Sequence, residues 1–315
     1  MRTETEIAGS EVGIRRVRYV MSNLHRMHWI VAWEVLAMFC KELTFRTRQG
    51  KLTVWTKDRA IGKALFVYRE FELGWVRAAL DFLRSSGRLP PVGRGTVLDI
   101  GANIGVISIG MVLKKEFQRA VAIEADPDNY RLLQRNALQN GLGGERYYCV
   151  HSAASDQAVS VEFELSPSNL GDHRVRLCVQ GGMRGEEEKF GESGRQVIEV
   201  EADRLDNILE RLPGQATRDI AMAWIDTQGH EGKVFAGGEQ VFSKDIPVAC
   251  EFWPYGIRRS GMESDEFCNI AKRLWRNYWR WRAGKSFVCE KIGELGKLFD
   301  ELGRGVAHEN VIFTK

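Results

Sequence analysis

The chain has 315 residues, enough for one large domain or two small ones, and 44% hydrophobic with 28% charged residues describes a globular protein with ample core. A net charge of +3 is too small to imply a nucleic-acid partner. Six cysteines (Cys40, Cys149, Cys178, Cys250, Cys268, Cys289) stand far apart without a C-x-x-C, which argues against a zinc cluster or a disulfide framework; most sit in apolar runs and are expected to be buried thiols in a reducing compartment.

Residues 1 to about 20 are polar and charged and are expected to be disordered, with Arg15, Arg16 and Arg18 in a solvated tail. Residues 21 to 47 are predicted helical. Their apolar stretch His28 to Cys40 is short and interrupted by Glu34, so it fails as a membrane span and reads as an amphipathic helix on the domain or on a partner. With no secretory leader evident, the protein is expected to be cytoplasmic. Leu52–Trp55 and Ala64–Tyr68 have strand-like composition, with Lys57, Asp58 and Gly62 between them for a turn. Phe71 to Leu83 repeats apolar residues at helical spacing, and Arg88 to Gly95 marks the entry to the core domain.

Thr96 to Ile100 is an apolar, β-branched run, the pattern of a parallel strand buried on both faces. Gly101, Asn103 and Gly105 follow, and Val106 to Leu113 starts a helix. Such glycines allow positive φ and a close ligand approach, and open α/β sheets bind ligands at this end of a strand. The loop alone also reads as a tight strand-to-helix turn. Asn103 replaces the second glycine of the dinucleotide fingerprint, and no phosphate loop G-x-x-x-x-G-K-[ST] is present. Asp99 would repel a pyrophosphate. Glu124, ending the run Ala120–Ile123, suits ribose hydroxyls. A nucleoside without phosphates that carries a positive centre describes S-adenosylmethionine.

Beyond this point strands and helices alternate, as in a parallel doubly wound sheet. Pro127 opens a helix to about Asn140, Arg146–Val150 is a third strand, and Val159–Leu165 and Gln196–Glu201 read as strands flanking a loop from Gly181 to Gly194. Between these strands, His173 and Arg174 either orient an acidic or hydroxylated substrate or belong to a polar hairpin. Ile220–Ile225 and Pro247–Cys250 are the fourth and fifth core strands, followed by Asp226 and Glu251. Residues 263 to 282, with Arg273, Arg276, Arg280 and Arg282 among Trp275, Tyr278, Trp279 and Trp281, are predicted to be one outer helix. Its tryptophans would pack on the sheet and its arginines would be solvated.

Asp99–Gly105, Glu124–Pro127 with Asn136–Gly141, Ser168–Arg174, Trp224–Glu231 and Glu251–Pro254 stand in an order that resembles the FkbM family of S-adenosylmethionine-dependent methyltransferases, over roughly residues 60 to 315. The resemblance implies an α/β fold: a Rossmann-like seven-stranded methyltransferase sheet with helices on both faces, here with an N-terminal helical lead-in and a β-hairpin insertion. Residues 1–50 would be the tail and lead-in, 51–95 a hairpin and helix, and 96–315 the methyltransferase domain with its insertion at about 157–205. Ser286–Cys289, a helix Gly293–Leu302 and Asn310–Thr314 would complete the sheet, the last strand antiparallel.

The cofactor-binding candidates are Asp99, Gly101, Asn103, Gly105, Glu124 and Ala125. The resemblance adds Ser152 and Asp156 beside the adenine, although many relatives carry an acidic residue where Ser152 falls. It also puts Glu70 and Glu72 near a helix that leans over the cofactor, where exposed carboxylates at a helix start are the plainer explanation. Methyl transfer from a sulfonium needs positioning and, for a hydroxyl acceptor, removal of a proton. His230 is the first candidate for the base, Asp226 could hold the acceptor or the methionine ammonium, and Glu251 is a further acid-base candidate. Glu231 would orient His230 or cap the helix that follows, and Trp253 would exclude water or pack. No His, Asp and Glu set has metal-site spacing, so metal-independent transfer is expected. The expected partner is a small-molecule acceptor, such as a sugar or polyketide hydroxyl. N-methylation and a non-catalytic binding module are the alternatives, and Asn103 disfavours an NAD-dependent oxidoreductase.

Overall fold

The computed structural model describes residues 26–176, 188–282 and 286–315. The expectations for residues 1–20, for Cys178 and for residues 181–187 lie outside the described residues. The chain begins with helix α1 (26–39) and the hairpin β1 (Glu42–Thr47) and β2 (Gly50–Trp55), then α2 (Ile61–Tyr68) and α3 (Leu73–Ser85). The core follows as β3 (Thr96–Ile100), α4 (Val106–Leu113), β4 (Arg119–Glu124), α5 (Pro127–Gln139) and β5 (Tyr147–His151). After β6 (Ala153–Ser155), β7 (Val159–Leu165), β8 (Arg174–Val175) and β9 (Gln196–Arg204) come short helices α6 (Leu205–Glu210) and α7 (Gly214–Thr217). Next are β10 (Ile220–Ile225), α8 (Glu231–Gly237), α9 (Glu239–Ser243), β11 (Val248–Phe252), α10 (Pro254–Arg259) and α11 (Ser264–Leu274). The chain closes with β12 (Asn277–Arg282), β13 (Ser286–Lys291), α12 (Leu295–Leu302) and β14 (Glu309–Thr314).

The main sheet has the order β13-β12-β14-β11-β10-β3-β4-β5. β3, β4, β5, β10 and β11 are mutually parallel, and β14 runs antiparallel to both β11 and β12. Side chains alternate across it. Leu98, Ile100, Val121 and Ile123 pack toward α8 and α11, whereas Val97, Ala120, Ala122 and Met222 pack toward α1 to α5. Helices therefore cover both faces, as parallel strands require.

Three local readings are corrected. Residues 42–47 form a strand, not the end of a helix: half-buried Phe45 and Thr47 alternate with exposed Thr44 and Arg46, and Glu42 is held by Arg131 and Arg135 of α5 at 2.6 and 2.7 Å. Ala64–Tyr68 lies in α2, whose first turn is organised by Asp58 accepting the N–H groups of Ala60 and Gly62; a five-residue apolar run does not by itself distinguish strand from helix. The predicted helix 263–282 breaks after Leu274. Beyond it Tyr278 and Arg280 are buried while Trp279 and Trp281 turn the other way, onto Phe82 and Trp75. Arg280 is 2% exposed and donates to Glu301 and Glu309, so it is not solvated. β12 therefore takes the sixth place expected for Ser286–Cys289, and β13 is an eighth strand at the edge.

The insertion forms a four-stranded sheet, β6-β9-β7-β8, broader than a hairpin and starting at Ala153. It stands over the carboxyl ends of the core strands. Cys250 and Cys268 are buried thiols, whereas Cys40 and Cys149 are half-buried and Cys289 is exposed.

Candidate active site

A cavity of about 660 Å³ opens above β3, β4, β10 and β11. It lies where the strand order reverses between β3 and β10, the place at which open α/β sheets bind ligands. Its floor includes Gly101, Glu124, Asp226 and Glu251. Residues 166–173, Phe190 and Trp253 wall it from the insertion side, and Ile61, Phe71 and Glu72 from the N-terminal side.

The loop after β3 is shaped by its sequence. Gly101 has φ 80°, and a Cβ there would run into the carbonyl oxygen of Asp226. Asn103 occupies the left-handed region with φ 51°, which asparagine tolerates better than other side chains, and so does the conformational work of the missing glycine. Its Nδ2 donates to the Leu170 carbonyl at 2.8 Å, clasping residues 166–173 over the loop; Asn129 Nδ2 adds a second bond there at 3.1 Å.

Glu124 is 6% exposed at the end of β4. Its Oε2 accepts the Asn103 N–H at 2.7 Å and its Oε1 accepts the Asp126 N–H at 2.8 Å. Burial outweighs these bonds and pushes the carboxyl up to about 8. Each oxygen keeps a lone pair for a hydroxyl donor. Ala125 and Ser152 continue the wall beside it.

At the opposite end Gln228, in the left-handed region with φ 53°, donates its Nε2 to Asp226 Oδ1 at 2.7 Å and to Glu251 Oε2 at 3.1 Å. His308 Nε2 lies 3.7 Å from Glu251 Oε1. Burial, with the neighbouring carboxylates Asp226, Glu231 and Glu72, raises Glu251 well above the usual carboxylate range, and burial raises Asp226 too. Glu231 Oε1 accepts from Thr227 N and Oγ1 and from Gly229 N, so it fixes this loop and does not touch His230.

Eight of the eleven sequence-derived site residues line this cavity: Gly101, Asn103, Glu124, Ala125, Ser152, Asp226, His230 and Glu251. Three stand outside its wall. Asp99 is 2% exposed and accepts the Ser108 hydroxyl beneath α4, where Tyr147 completes the chain of bonds at 2.7 Å. Gly105 begins α4 against Ile109 and Leu133. Asp156 pairs with Lys233 at 3.0 Å. His230 is at the wall, but its Nε2 meets Ser155 Oγ at 3.0 Å while Nδ1 is sealed from solvent without a partner, and burial lowers it to about 4. Glu70 pairs outside with Arg48, whereas Glu72 reaches the cavity.

The insertion is anchored by ions. Glu164, fully buried on β7, meets Arg174 at 3.2 Å, Arg259 at 3.0 Å and Arg195 at 3.7 Å. Asp172 binds Arg174 and Arg195 as well. Arg174 therefore serves this network, while His173 Nδ1 accepts the Ser166 N–H within the hairpin. Trp253 forms an edge-to-face pair with Phe190, and the Arg174 guanidinium lies over both rings. Gln228, Arg195 and Phe190 were missed by sequence reasoning; Gln228, two residues from Asp226, had a positional signal, and the other two had none. Among the described residues no group of three His, Cys, Asp or Glu could hold a metal ion.

A sheet of this order, with β14 reversed between β11 and β12 and the edge strand β13 also reversed, carrying a nucleoside-sized cavity and no phosphate loop, defines the Rossmann-like methyltransferase class. Residues 99–274 match the model of the methyltransferase FkbM domain, and the chain belongs to that family of S-adenosylmethionine-dependent enzymes. It is 29% identical over 178 residues to methyltransferase sdnD of Sordaria araneosa, a match covering 51% of this chain and 68% of that protein. A solved methyltransferase FkbM from Methylobacillus flagellatus KT aligns over 90% of this chain and 58% of its own, with 14% identity and a TM-score of 0.42. TYW2 of M. jannaschii, in complex with AdoMet, aligns over 87% of this chain and 85% of its own, with 11% identity and a TM-score of 0.37. The chain thus spans less than two thirds of the first of these solved proteins. No helix among the described residues is long and apolar enough to cross a membrane.

Proposed function

We propose that this chain binds S-adenosylmethionine between Glu124 and Asp226 and methylates a hydroxyl of a small organic acceptor. S-adenosylmethionine supplies an activated methyl group on a good leaving group, so the protein's task is positioning and proton removal. Glu124 would take the ribose hydroxyls, Gly101 and Asn103 would lie against the nucleoside, and Ala125 and Ser152 would border its base. The site fits such a ligand because Glu124 is fixed by two backbone donors with acceptor capacity left over, and no phosphate cradle competes. Asp226 and Glu72 would face the cationic end.

The observation that carries the acceptor chemistry is the Asp226–Gln228–Glu251 bridge at the cavity floor. A carboxylate raised by burial and by like-charged neighbours is a stronger base than one in water. The role of base therefore passes from His230, whose ring nitrogens are committed or sealed, to Glu251. Phe190 and Trp253 would shield the reaction from water. Glu251→Gln should lower kcat about 100-fold or more while calorimetry shows S-adenosylmethionine still bound. An unchanged kcat would remove Glu251 from this role. The same carboxylates suit an amine, so mass spectrometry of products from a panel of hydroxylated and amine acceptors decides; methylation of amines alone would replace the hydroxyl reading.

A further inference from the structure

Helix α1 is apolar on two sides. Its inner face sinks Trp33, 0% exposed, against α2, and Trp29 packs edge-on to Phe66. Its outer face carries Met27, Val31, Val35, Met38 and Phe39, from 44% to 81% exposed. These five positions fall on one side of a 3.6-residue helix, and no other element of the described residues exposes a comparable group of large apolar side chains. A helix with apolar residues all round is ordinarily covered on every side, and a contiguous exposed patch marks an interaction surface.

The rim of the patch names the occupant. Arg26 and Lys41 stand exposed at the two ends of the helix. Its one carboxylate, Glu34, is held by Arg59 at 3.2 Å and Lys63 at 2.7 Å, which leaves cationic charge in excess. Five side chains on a helix of about 20 Å make a small patch beside the roughly 800 Å² per partner of a stable dimer. An apolar face with a basic rim is instead complementary to the headgroup boundary of an anionic membrane. We propose that the outer face of α1 docks the protein on an anionic lipid surface, lying in the interface without crossing it. This inference does not depend on the methyl-transfer reading.

The test is co-sedimentation of the full chain with vesicles of phosphatidylcholine alone or mixed with phosphatidylserine, at low and high salt. Binding is expected on the mixed vesicles, weakened by salt. The double substitution Met38→Glu with Phe39→Glu should lower the bound fraction about tenfold, the loss of one buried large apolar side chain or more. Leu138→Glu, at a position 70% exposed on α5, should leave it unchanged. Because all three side chains are exposed, melting temperature and circular dichroism should be those of the parent chain. The proposal is overturned if mixed vesicles bind no more than phosphatidylcholine, or if the double variant binds like the parent. It is equally overturned if light scattering finds a dimer that the double variant dissociates, since a second copy would then cover the face.

Discussion

Glu124 is held by two backbone N–H groups, so its orientation is set before any ligand arrives. What remains variable is its charge. Burial moves the group to about 8, and a diol that donates two hydrogen bonds favours the ionised form. S-adenosylmethionine should therefore bind about tenfold more tightly at pH 8.5 than at pH 6.5 by calorimetry, with a proton released on binding. Glu124→Gln should bind more weakly and show no such slope; a parent protein with a flat profile would contradict the ribose assignment. The contrast between Glu124 and Asp99 is instructive. Both are acidic residues near strand ends, yet Asp99 faces the other way, into a buried hydroxyl pair with Ser108 and Tyr147.

At the level of elements, the loop between β3 and α4 depends on close approach as much as on φ. Gly101 has φ 80° and no room for a Cβ beside the Asp226 carbonyl, whereas Gly141 has φ 69° and open space around it. Alanine at either position pays the left-handed strain of about 1–2 kcal/mol. Only Gly101→Ala adds the overpacking cost, so it should be less stable than Gly141→Ala by a further 1–3 kcal/mol or so in urea titrations. Equal losses would mean that the loop yields freely. The same crowding joins β3 to β10, since Asp226 donates its N–H to the Ile100 carbonyl at 3.0 Å. The two loops that flank the cavity are thus one packed unit.

Across the molecule, buried ionisable groups make stability depend on pH in two opposing ways. Glu124 near 8, Glu231 near 7 and Asp99 near 6 all lie above their ordinary values because of burial. The folded state holds their protons more tightly, so the stability they contribute is full below about pH 4 and is lost as pH rises through 6 to 8. His173 and His230 sit near 4, lowered by burial; their contribution is present above about 6.5 and is lost as pH falls toward 4. The unliganded protein should be most stable on the acid side of neutrality, with a higher urea midpoint at pH 6 than at pH 8.5. A higher midpoint at pH 8.5 would show that the carboxyls are not buried as described.

The sequence by itself determined the family, the parallel core strands, the glycine-bearing loop and the acidic residues at the carboxyl ends of β4, β10 and β11. Those signals are local: an apolar run, a turn residue and a charge at its end are read within a dozen residues. Only the tertiary structure decided that Asp99 turns beneath α4, that His230 is sealed beside Ser155, and that Gln228 ties Asp226 to Glu251. It also decided that 277–282 is a strand, because a basic-aromatic run takes the period of whatever packs on it. Here Trp279 meets Phe82 and Arg280 meets Glu301 and Glu309, partners from distant parts of the chain. The direction of a side chain depends on which neighbours close over it, and those neighbours arrive only when the chain folds.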